Sequence, residues 1–261
     1  MKTREARELG ERIAGLVQAG QLTQAYALLA PVLAERTPFR LLDRIGEAVG
    51  AEPLQAACPE LALSAVEGQD RRVNAFLECI AADKTEGGWV VIGCALGQQL
   101  GRDPAGAFTR CREHIIAADV WYAADILGER VPGPALVADL QSALDLLVPW
   151  REDANRWVRR TVGVAVHFWA KRSRGEHAAE AKGLLAFLEP MFEEWEMDAV
   201  KGVGWGLKTL GRHYPDLVAD WVAQQVVQRQ RRHRALMLRK ALTYLSDEQR
   251  ARATGHSSHV Q

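Results

Sequence analysis

The stretch 198-DAVKGVGWGLKTLGRHYPDLVADW-221 decides the fold. Its Gly202, Gly204 and Gly206 have the look of a nucleotide-binding loop, which would place the chain among the α/β proteins. A dinucleotide fingerprint needs a strand before the glycines and a tight turn at them. Here both flanks carry apolar residues at spacings of three and four, the period of an amphipathic helix. The glycines therefore fall within a helix, where each costs about 1 kcal/mol relative to alanine. That cost implies a return in packing: the glycines let a neighbouring helix or a ligand approach closely.

Outward from this stretch the same period continues. LTQAYALLAPVLAER (22–36), GWVVIGCALGQQLG (88–101), PALVADLQSALDLLVPW (134–150) and NRWVRRTVGVAVHFWAKRS (155–173) all read as helices, and no convincing alternating strand intervenes. Short breaks rich in Pro, Gly, Asp or Ser separate them, and Asp103 followed by Pro104 reads as an N-cap and first helical position. Antiparallel pairs of this length, recurring about every 35 to 45 residues, predict an all-α protein, an α-solenoid of HEAT-like helix pairs. No linker divides the pattern, so residues 1–250 are expected to form a single domain and residues 251–261 a frayed tail.

With 48% apolar residues in 261, the chain can bury a substantial core. Its 33 basic and 33 acidic side chains balance, so a polyanion would have to be met by a local patch. The surplus of cations is C-terminal: residues 151–261 hold 19 basic against 13 acidic side chains. Cys58, Cys79, Cys94 and Cys111 never form a C-x-x-C, which suits reduced core thiols rather than bridges or a zinc site. The N-terminal MKTREARELGERIAGLVQAG is too charged for a signal peptide or a membrane span, so a cytoplasmic location is expected. His256 and His259 are read as an incidental tail pair rather than a metal site.

Three regions could carry chemistry. In ADVWYAADILGERVPG (118–133), Trp121 and Asp125 stand four apart and share one helix face. In NRWVRR, Trp157 and Arg160 share a face, with Arg156 beside them; residues 151–174 carry seven cations against Glu152 and Asp153. Arginine forks suit bidentate phosphate contact, although a charge run is usually a solvated face. In the opening stretch Trp205 lies one turn after Lys201 and about one turn before Lys208. The last basic stretch, RQRRHRALMLRKAL, adds Arg229, Arg231, Arg232, Arg234, Arg239 and Lys240. Trp89, Trp150 and Trp169 sit in apolar contexts and read as packing residues. His114, His167 and His213 read as core or surface histidines. No G-x-S-x-G, H-E-x-x-H or phosphate loop is present.

Taken together, WYAAD, NRWVRR and KGVGWGLKTLGRHYPDLV resemble, in order and separation, the AlkD-like DNA glycosylases of the DNA alkylation repair family, over roughly residues 85 to 245. The resemblance implies a curved superhelix with a concave basic face. It implies hydrolysis of the N-glycosidic bond of cationic N3-alkyladenine and N7-alkylguanine in duplex DNA, without a base-flipping pocket, in base excision repair. Carried over by position, Asp125 would be the catalytic carboxylate, with Trp121 and Trp205 against the lesion-bearing nucleotide. Arg160 would hold a phosphate. From the basic and aromatic residues beside these positions, Arg156, Trp157, Lys201, Lys208 and Arg239 are expected to join the DNA contact. No metal or organic cofactor is implied, the partner is alkylated double-stranded DNA, and a monomer is the default. The same residues also suit a non-catalytic nucleic-acid-binding protein, a protein-interaction scaffold with tryptophan anchors, or plain packing, with Trp121 and Trp205 buried between repeats and Asp125 capping or pairing with an arginine.

Overall fold

A computed structural model describes residues 1–51 and 59–255, with 59–69 as backbone alone. Cys58, His256 and His259 lie outside the described residues. The described residues are helical throughout, and the chain divides into two compact units, 1–131 and 132–261. The first unit holds α1 (Thr3–Gln18), α2 (Leu22–Ala34), α3 (Phe39–Gly50), α4 (Pro59–Ala82), α5 (Glu86–Gln99), α6 (Pro104–Ala118) and α7 (Trp121–Gly128). The second holds α8 (Pro132–Ala138), α9 (Leu140–Leu147), α10 (Arg156–Ser173), α11 (Ala178–Leu188), α12 (Met197–His213), α13 (Pro215–Ala223), α14 (Ala235–Ala241) and α15 (Asp247–Thr254). The 24-residue α4 is the longest of them, and no described helix is long and apolar enough to cross a membrane.

Helix starts follow local chemistry. Asp103 accepts from the Gly106 amide at 2.8 Å with Pro104 in the first helical position. Thr85 and Asp139 cap α5 and α9 in the same way, satisfying amides that have no partner within the helix. At the other end of the chain, Gly255 in the left-handed region closes α15.

Each unit is built in two layers, because alternate helices pack on one another. In the first unit α1 packs on α3, α3 on α5 and α5 on α7, with α2 and α4 in contact behind them. In the second, α8 packs on α10, α10 on α12 and α12 on α14, while α11, α13 and α15 form the other layer. This is the packing that stacked helical pairs require, each burying an apolar face against the next. Ile13, Leu42, Ile45, Phe76, Trp89, Ile92 and Leu96 fill the first core. Phe192, Leu185, Val200, Leu207 and Leu210 contribute to the second. Trp150 and Trp169 are also buried, as the sequence predicts, and Cys111 is a core thiol whose burial raises its pKa, whereas Cys94 is half-buried and Cys79, against the expectation of a core position, is exposed.

At the crossing of α10 and α12 backbone meets backbone, and glycine makes it possible. A Cβ on Gly163 would stand 2.2 Å from the Gly202 carbonyl oxygen, and one on Gly202 would stand 2.4 Å from that of Arg160. A Cβ on Gly206 would likewise stand 2.7 Å from the Gly163 carbonyl oxygen. Of Gly202, Gly204 and Gly206, the first and last therefore admit α10. Gly204 instead faces the side chain of Lys240 on α14. The first unit uses the same device: Gly50 of α3 lies against the backbone of Ala95 in α5, where a Cβ would meet oxygen at 2.3 Å.

Two predictions arise from this packing. Gly202→Ala should lower the unfolding free energy by about 1–3 kcal/mol despite its better helix propensity, because backbone cannot yield. Gly183→Ala, in α11 with nothing within 4 Å of the added methyl, should raise it by about 0.5–1 kcal/mol. Denaturant titration of both variants checks the pair, and stabilisation by Gly202→Ala would disprove the crossing. The second concerns His114 and His167, which burial pushes down to about 4 from an ordinary 6.5. The unfolded chain then binds their protons first on acidification. Stability should fall as pH drops from about 6.5 towards 4, by an amount on the order of 1–3 kcal/mol for each histidine. A His114→Gln, His167→Gln variant should show a flatter profile in that window; a profile parallel to the wild type would refute this origin.

Candidate functional site

Every residue singled out for DNA chemistry lies on α7, α10, α12 or α14, all helices of the alternately packed layer of their own unit. In the first unit, Asp119 adopts a left-handed conformation and Val120 an extended one, so α7 begins abruptly with Trp121. Ala123, Ala124, Ile126 and Leu127 are buried and anchor the helix. Trp121 faces outward with 55% of its surface exposed, and Asp125, one turn on, is half-buried. Tyr122 meets the indole edge-on, ring centres 5.8 Å apart at 84°, and so braces an aromatic side chain that would otherwise swing freely. Arg130 fastens the end of this helix: it pairs with Asp43 of α3 at 2.9 Å and donates to the Ile126 carbonyl at 3.2 Å. The result is a firmly held short helix presenting one indole above one carboxylate.

In the second unit, Asn155 caps α10 by accepting from the amides of Trp157 and Val158 at 2.8 and 3.4 Å. Trp157 and Arg160 share a face, as their spacing predicts, and that face is buried: they are 6% and 7% exposed. Arg160 lies in the room left by Gly202 and donates to the Asp198 carbonyl at 3.2 Å, which ties the start of α12 to α10. Arg156 is exposed, packs over the Trp157 ring at 4.7 Å, and places Nε 3.4 Å from the Asp198 carboxylate. Lys201 reaches the same carboxylate at 3.3 Å. Three predicted cations thus gather round one aspartate. Arg159, by contrast, is engaged by Glu194 at 2.6 Å and by the Asp153 carbonyl.

Trp205 follows one turn after Lys201 and is half-buried. Its indole stacks on His167 of α10, centroids 3.9 Å apart and planes 23° from parallel. The hydroxyl of Thr209 donates to the Trp205 carbonyl at 3.1 Å and lies 2.7 Å from His167 Nδ1. The ring is neutral near pH 7, since desolvation, aided by Lys171, pushes its pKa down to about 4. His167 is therefore the floor on which Trp205 rests, a role that sequence alone does not reveal because the two are 38 positions apart. Lys208 takes another course, with Nζ 5.3 Å from the Tyr244 ring centre, and Arg239 is exposed on α14. Among the described residues no cluster of three His, Cys, Asp or Glu side chains is placed to hold a metal ion.

The arrangement offers one carboxylate beside an exposed indole on α7, and a braced indole with exposed cations on α10 and α12. Comparison with curated proteins returned no match, and neither did comparison with solved structures. The family model described as DNA alkylation repair enzyme matches residues 61–245, a span that takes in α7, α10, α12 and α14 together. That match covers more than two thirds of the chain, and the protein belongs to the DNA alkylation repair enzyme family.

Proposed function

We propose that the protein is a monofunctional DNA glycosylase that removes alkylated, positively charged purines from duplex DNA. Membership of a DNA alkylation repair family supports the setting. The observation that carries the chemistry is Asp125 one helical turn from the exposed Trp121 on a helix with no other carboxylate.

The reaction asks little of the protein. An N3-alkyladenine or N7-alkylguanine already bears positive charge, so its bond to C1′ breaks with the electron pair leaving on the base, which departs neutral. The sugar becomes oxocarbenium-like, and a water oxygen then bonds to C1′ while its proton passes to Asp125 or to solvent. Asp125 stabilises the cationic sugar electrostatically and orients that water. The indole faces of Trp121 and Trp205 favour a neighbouring cation by about 0.5–2 kcal/mol. Selectivity then comes from bond lability and from the deformability of damaged DNA.

On α10 and α12, the exposed Arg156 and Lys201 meet the DNA backbone, with Arg160 behind them and Trp157 as the surface over which Arg156 lies. A phosphate competes there with Asp198. Exposed ion pairs contribute only about 0–1 kcal/mol, so the exchange is inexpensive. Lys208 and Arg239 extend the same basic surface.

Asp125→Asn should abolish release of 7-methylguanine from methylated duplex while leaving the Kd for that duplex within about twofold; base release at the wild-type rate would overturn the assignment. Arg156→Gln combined with Lys201→Gln should weaken duplex binding and reduce the slope of log affinity against log salt by roughly 0.9 for each phosphate no longer neutralised. An unchanged slope would remove these two residues from the interface.

A further inference from the structure

The segment joining α13 to α14 packs four arginines into six residues, Arg229, Arg231, Arg232 and Arg234. They divide into two pairs. Arg229 and Arg231 turn to Glu189: Arg229 contacts its carboxylate closely, and Arg231 lies 3.1 Å from the same oxygen and 3.6 Å from Glu193. His233 turns inward, its ring 5.4 Å from that of the buried Phe192. Arg232 and Arg234 go the other way. Their guanidinium carbons lie 5.5 and 4.1 Å from the centre of the Trp195 ring, and Arg234 Nε donates to the Trp195 carbonyl at 3.0 Å. Among the described residues, neither has a carboxylate within ion-pair distance.

Trp195 is 50% exposed, yet it is not loose. Its amide and that of Glu196 both donate to Glu194 Oε1, at 2.9 and 2.8 Å, and the Glu194 carboxylate is itself fixed by Arg159 at 2.6 Å. The residue is thus held by its backbone on both sides while its ring stays in water. A large exposed indole with two guanidiniums on it, neither paired with a carboxylate, gains little as a packing device, since exposed cation–π contacts are weak. It is well suited to an anionic ligand with a flat or apolar neighbouring part. The arginine forks are held near one point, so less rotamer freedom is lost when they close on an anion.

We propose that Trp195, Arg232 and Arg234 form a second DNA contact, in which the two guanidiniums hold one backbone phosphodiester and the indole packs against the adjoining sugar or base. A phosphodiester presents two unesterified oxygens, which two planar forks can meet together. This inference rests on the reading of the protein as one that binds duplex DNA. It adds a contact outside the residues around Asp125, Asp198 and Trp205, and it leaves the chemical step alone.

The test uses the full chain with three variants: Arg232→Gln, Arg232→Gln with Arg234→Gln, and Trp195→Ala. Affinity for a methylated duplex is read between 50 and 200 mM salt, alongside base release at saturating enzyme. The double variant should bind roughly tenfold more weakly and lower the salt slope by about 0.9. Arg232→Gln, a change at an exposed side chain, should show part of that weakening. Trp195→Ala should weaken binding by roughly fivefold or more, the scale of one missing base–aromatic stack. Base release from saturated enzyme should match the wild type. Unchanged affinity and slope in all three variants, with a wild type that binds DNA and releases base, would overturn this contact and leave the proposed activity standing. A wild type that binds no duplex overturns both, and one that binds duplex without releasing base removes only the catalytic reading.

Discussion

The structure depends on backbone meeting backbone. Alternate helices in each unit cross where glycine removes the side chain from the joint, at Gly163, Gly202 and Gly206 between α10 and α12 and at Gly50 between α3 and α5. Without those approaches α12 would stand off from α10. A Cβ at position 202 would take the room that holds the Arg160 side chain, and a wider gap between the helices would open the stacking of Trp205 on His167. The candidate residues of the second unit are thus positioned by a packing rule rather than by a network of their own.

A carboxylate beside an indole is common in helices, and what gives the pair on α7 its character is how it is presented. The left-handed Asp119 and extended Val120 start the helix at Trp121 itself, so the indole stands at the very end of the element, with Tyr122 bracing its edge. On α10 and α12 the division of labour is by burial. Arg160 and Trp157 are held between the helices, while Arg156 and Lys201 carry charge at the surface. A basic stretch in sequence becomes a smaller and more ordered set of exposed cations once Arg159, Arg229 and Arg231 are engaged by Glu194 and Glu189.

Much of this was readable from the chain. The helical period, the Asp103–Pro104 helix start, the burial of Trp89, Trp150 and Trp169, and the glycines as a point of close approach all follow from local rules and appear in the fold. What was not readable involves partners far apart in sequence. Spacing puts Trp157 and Arg160 on one face but does not say that α12 covers it. Nothing local marks His167 as the support of Trp205, or joins Trp195 to arginines nearly forty positions later.

The glycine crossings also determine how the second unit responds to load. Side chains in an ordinary helix interface can change rotamer and let the helices slide by a fraction of an ångström. At the α10–α12 joint the nearest facing groups are carbonyl oxygens, which have no rotamers to exchange, with only the Arg160 stem and Val166 as side chains beside them. Such a joint is stiff in shear and compression. A load placed across α10 and α12 is therefore carried by the backbone of both helices.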